Sequence, residues 1–168
     1  MHRLTHLTLS NLRCKGPLFC WQQSDVFRHC TALQVLRVNG CHGIADIAIR
    51  GIPSTLRELD ISQCRRLTDG GVSHLTSLRG LTMLDNIQIT NATLRAMPDL
   101  RSLHIGMWGP CALTAFAFDP LIRLTSLHSG GLPWGLRGCA EMHMSNLAEV
   151  RLAWEMRPSP HKRQKTGT

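Results

Sequence analysis

The stretch Leu56-Arg57-Glu58-Leu59-Asp60-Ile61-Ser62-Gln63-Cys64-Arg65-Arg66-Leu67-Thr68-Asp69-Gly70-Gly71-Val72-Ser73-His74-Leu75 decides how this chain folds. Leu59 and Ile61 stand two apart, the spacing that puts both on one face of a strand. Val72 and Leu75 stand three apart, the spacing of one helix face. Between them lies a turn-forming run. The same slots recur on both sides. Leu33, Leu36 and Val38 lead to Cys41, Ile44, Ile49 and Ile52. Leu78, Leu81 and Met83 lead to Asn86, Ile89, Leu94 and Met97, and Leu100, Leu103 and Ile105 open a further unit. The starts at 33, 56, 78 and 100 are separated by 23, 22 and 22 residues. Weaker copies begin at Leu4, Leu124 and Leu147, which makes about seven units. A unit this small cannot bury its own apolar face, so neighbours must stack, and the expected architecture is an α/β solenoid.

The 56–75 segment resembles the cysteine-containing subtype of leucine-rich repeat, common in the substrate-binding halves of F-box proteins, and residues 33–52 match it less fully. The resemblance implies a horseshoe, with parallel strands on the concave face and helices on the convex face. It extends the repeat domain over residues 1–156, with starts near 4, 33, 56, 78, 100, 124 and 147. Residues 157–168 then form a disordered basic tail. The open ends leave two readings, a piece of a longer array or end-to-end self-association, because solenoids cap their termini.

Composition narrows the function classes. No run reaches the apolar length of a membrane helix, and the first residues lack the build of a signal peptide. A cytoplasmic protein, with nuclear entry open to the basic tail, is therefore expected. Lys and Arg number 19 against 11 acids, a net charge of +8. Half of that excess sits in residues 151–168, so the body carries no concentrated basic surface and nucleic acid is a minor expectation.

Seven cysteines without a leader read as reduced thiols. None forms a CxxC pair, and neither Cys139 with His143 nor Cys30, Cys41 and His42 has the spacing of a zinc site. No metal or cofactor is expected. Cys41, Cys64 and Asn86 share one slot, where the chain turns inward and a side chain must bond buried backbone groups.

If the repeat leucines point inward, the slots between them face outward. These supply Arg37, Glu58, Asp60, Asp85, His104 and His128 as candidate contacts, together with Thr8, Thr82 and neighbours. Glu58, Asp60 and His104 can be drawn as an acid–base set, but strands about 4.8 Å apart leave units two apart some 10 Å from each other. No phosphate loop or nucleophile elbow accompanies them. The expected function is a non-enzymatic protein-interaction scaffold with an unidentified partner bound on the concave face. Two alternatives are a substrate-recognition part of a ubiquitin ligase complex and a nucleic-acid-associated protein using the Arg-rich surface and tail.

Overall fold

A computed structural model describes residues 4–12, 27–106, 112–130 and 149–153. Seven strands, β1 (His6–Thr8), β2 (Val35–Arg37), β3 (Glu58–Asp60), β4 (Gly80–Leu84), β5 (Ser102–Gly106), β6 (Ser126–Gly130) and β7 (Glu149–Ala153), form one sheet. They lie side by side in chain order, each parallel to the next. Parallel neighbours need a crossover between them. Here the crossovers carry α1 (Asp46–Ile49), α2 (Asp69–Val72), α3 (Asn91–Arg95) and a 3-10 turn (Ala115–Ala117). The result is a repeat solenoid with a continuous sheet on one side and one-turn helices on the other.

Register follows the leucines. Leu7, Leu36, Leu59, Leu81, Leu103, Leu127 and Val150 are successive backbone partners across the sheet. Leu36, Leu59, Leu81, Leu103 and Leu127 are all buried, as are Val38, Ile61, Met83 and Ile105 two residues on. The unit-opening leucines 33, 56, 78, 100 and 124 join them in one apolar core. Burial of each such side chain is worth about 1.5–3 kcal/mol, and stacking alone achieves it. The first strand is less well covered: Leu7 and Leu9 are only half-buried, and Leu4 is exposed.

Behind β2, β3 and β4 the chain turns inward over a side chain that ties it to the preceding unit. The Cys41 thiol donates to the Leu9 carbonyl (3.2 Å), the Cys64 thiol to the Val38 carbonyl (3.0 Å), and Asn86 Nδ2 to the Ile61 carbonyl (2.9 Å). Cys30, Cys41 and Cys64 are free and buried. Just before this slot, Gly40, Gln63 and Asp85 all adopt positive φ, between 58° and 70°. At Gly40 a Cβ would fall 2.2 Å from Asn11 Oδ1, so a side chain there would displace that of Asn11.

The helices are tied unit to unit as well. Asp46, first residue of α1, accepts the backbone N–H (2.8 Å) and the hydroxyl (2.6 Å) of Thr68, which caps α2. Asp69, first residue of α2, does the same for Thr90, which caps α3, and also accepts the Thr93 hydroxyl. Asn91, first residue of α3, accepts the Thr114 backbone N–H and donates to its hydroxyl. Gly71 lets α1 approach α2, since a Cβ there would meet Asp46 Oδ1 at 2.6 Å. This ladder helps α2 and α3 hold despite their shortness: Thr68 and Thr90 accept a helix N–H from Gly70 and Ala92, and the unit before fixes each of these caps in place.

Expectations concerning Cys14, Cys20, Cys111, Cys139 and residues 157–168 fall outside the described residues. Among the described residues, no helix is long and apolar enough to cross a membrane.

Candidate functional site

Strand alternation sends two rows of side chains away from the core. In one row the backbone partners are Thr8, Arg37, Asp60, Thr82, His104, His128 and Arg151. In the other they are His6, Val35, Glu58, Gly80, Ser102, Ser126 and Glu149. Val35 departs from the pattern, being only 7% exposed. The remaining described members, from Thr8 to His128, are exposed or half-buried.

Five of the candidate contacts stand on the strand rows, and the sixth, Asp85, lies past the end of β4. Arg37 and Glu58 come from adjacent strands, one slot apart, and their side chains meet diagonally at 3.3 Å. Both are about half exposed, so the pair itself adds only ~0–1 kcal/mol of stability and stays available to other partners. Asp60, beside Arg37 in its row, turns Oδ1 onto the Ser62 backbone N–H at 3.0 Å, which orients the carboxylate. His104 and His128, on β5 and β6, meet edge to face with ring centroids 5.4 Å apart. Partial burial and the neighbouring His128 hold the His104 pKa below its ordinary value, against an opposing pull from Asp60. Asp85 stands apart. It lies beyond the end of β4 in the left-handed turn, where a short polar residue suits the backbone.

Between the Arg37–Glu58 pair and the histidine pair the face dips. Gly80, which carries no side chain and is partnered by Glu58 and Ser102, lies in the lining of a depression of about 460 Å³. Arg37, Arg57, Glu58, Asp60, Arg79, Thr82 and Ser102 provide its polar lining. The sequence reading passed over Arg57 and Arg79. The signal was present as a Leu-Arg pair opening three consecutive units at 56, 78 and 100. Guanidinium, carboxylate, hydroxyl and imidazole groups thus share one surface, able to donate and accept hydrogen bonds along its length. Among the described residues, no three potential metal ligands stand together.

No known family profile matches the chain, and no curated protein matches it. Among solved structures, an internalin from Listeria monocytogenes is similar, with a TM-score of 0.44 and 17% sequence identity. The match covers 77% of this chain and 44% of that one, so this chain spans less than half of that protein's length.

Proposed function

We propose that this chain is a non-enzymatic protein-interaction scaffold of the leucine-rich-repeat kind, which binds a partner protein through the outward, concave face of its sheet. The observation that carries this reading is the in-register outward row running Arg37, Asp60, Thr82, His104, His128. Stacked strands hold these varied side chains on a backbone that needs no ordering on binding, which lowers the cost of association. Arg37, Glu58, Asp60, Asp85, His104 and His128 are the contacts assigned to the partner. A cytoplasmic home belongs to the same reading and is supported by the free thiols of Cys30, Cys41 and Cys64. No observation favours the ubiquitin-ligase or nucleic-acid alternatives.

The test is the double variant R37A/H104A, assayed against a partner isolated by affinity capture and identified by mass spectrometry. Binding should weaken by about 1–2 kcal/mol or more with the melting temperature unchanged, while deletion of residues 157–168 leaves affinity largely intact. Unaltered binding by the double variant would refute the face.

A further inference from the structure

Arg57, Arg79 and Arg101 occupy one slot of three consecutive units, and the backbone stacks them directly. The Arg79 N–H donates to the Arg57 carbonyl and the Arg101 N–H to the Arg79 carbonyl, each at 2.8 Å. Successive members are therefore separated by about one strand spacing, ~4.8 Å. All three are exposed. Arg37 and Arg123 each hold a carboxylate, but among the described residues no hydrogen bond or ion pair engages the guanidinium of Arg57, Arg79 or Arg101. Like charges stacked this closely across a sheet are unfavourable, and among the described residues no carboxylate stands within ion-pair distance of them.

The column is short. Gln34 precedes it and Thr125 follows it in the same backbone ladder. Its ends are two strand spacings apart, roughly 10 Å, a distance that about three residues of extended peptide cover. Beside it lies the depression over Gly80, which Arg57 and Arg79 help to line. Glu58 and Asp60 stand on the same lining. They would repel a strand of nucleic acid laid across the face, whose charge cannot be confined to one edge. A peptide can place its carboxylates on the arginine column alone and turn neutral groups toward Glu58 and Asp60. Guanidinium forks suit carboxylates in paired hydrogen bonds.

We propose that the column Arg57–Arg79–Arg101 receives a short acidic segment of the partner, a run of Asp and Glu lying across β3, β4 and β5. The proposal rests on the reading of this face as a protein-binding surface and assigns it a class of ligand.

The experiment is fluorescence anisotropy on the full chain with a labelled peptide carrying a run of Asp and Glu. The same peptide with Asn and Gln in their place is the neutral probe, and an oligothymidylate of equal charge is the nucleic-acid probe. Two triple variants of equal net charge are compared, R57Q/R79Q/R101Q on the column and R50Q/R65Q/R95Q away from it. The acidic peptide should bind, more weakly as salt rises, and the neutral probe should not. The column variant should lose about tenfold or more in affinity, and the control variant less than about twofold. The column variant should also melt no lower than the parent, since it relieves repulsion. R79Q alone, at the centre of the column, gives the same sign with a smaller loss should the triple variant fail to fold. The proposal is overturned if the acidic peptide does not bind, if the control variant loses as much, or if oligothymidylate binds the column as tightly. In any of these cases, a partner still weakened by R37A/H104A would leave the protein-binding face standing without this ligand.

Discussion

Asp69 accepts both hydrogen bonds that Thr90 offers, from its backbone N–H at 2.9 Å and its hydroxyl at 2.6 Å. One carboxylate thereby opens α2 and anchors the cap of α3 in the next unit. Burial alone would raise the Asp69 pKa, but the bonds from Thr90 and Thr93 outweigh it and hold the group below its ordinary value. A carboxyl depressed in the folded state stabilises above its unfolded pKa, near 3.9, and that contribution is lost as pH falls through the folded value. Melting temperatures measured from neutral pH down to about pH 2 should therefore fall more steeply in the parent than in D69N. At neutral pH, D69N should cost ~1.5–3 kcal/mol. An unchanged acid limb in the variant would place the coupling of these units elsewhere.

The inward slot makes a second prediction. Burial pushes the Cys64 thiol up to about 12. Alkylation of Cys64 should be slow in the native protein and fast in denaturant, as peptide mapping after timed labelling would show. C64A removes one of the two donors to the Val38 carbonyl, the Cys41 N–H remaining, and should cost ~0.5–1.5 kcal/mol. N86C, which keeps a small donor in the equivalent slot, should be closer to the parent than N86A. Equal melting losses for N86C and N86A would mean that shape, and not the hydrogen bond, fills that slot.

Register can be tested with two adjacent residues. Leu59 is 2% exposed and faces the core, whereas Glu58 faces outward and is paired only at the surface. L59D should unfold the array because it buries a charge among leucines, while E58Q should change stability by less than ~1 kcal/mol. Chemical denaturation of both variants measures this, and similar midpoints would contradict the inward assignment of the leucine row.

The histidine pair has a directional signature. Removing His128 takes away a like charge, so H128A should raise the His104 pKa, while D60N should lower it further. Titration of the His104 ring protons by NMR reads both shifts. Because the folded His104 resists protonation, its contribution to stability falls as pH drops below the ordinary histidine value of ~6.5. A shift of the reverse direction in either variant would show that the neighbours across β3, β5 and β6 do not set its titration.

Much of the sheet was legible because the signal is local and repeated. Leucines three and two apart in each unit force Leu36, Leu59, Leu81, Leu103 and Leu127 inward, and side-chain alternation then forces Arg37, Asp60, Thr82, His104 and His128 outward. The shared slot of Cys41, Cys64 and Asn86 also announced a buried donor, and the structure supplies the carbonyls it serves. Val35 stands in an outward slot yet is buried, since a strand position alone cannot tell whether neighbouring chain covers it.

The amino-acid order by itself determined the period, the inward row and the side of the sheet on which each polar residue stands, because these depend on spacing within one unit. Only the stacked structure decided which residues of different units touch. Asp46 reaches Thr68, Asp69 reaches Thr90, Arg37 reaches Glu58, and Arg57, Arg79 and Arg101 share one column. Those contacts join residues 21 or 22 positions apart. Their geometry is set by how closely one turn of the solenoid settles on the last, and the buried leucines of two units must pack together before that distance exists.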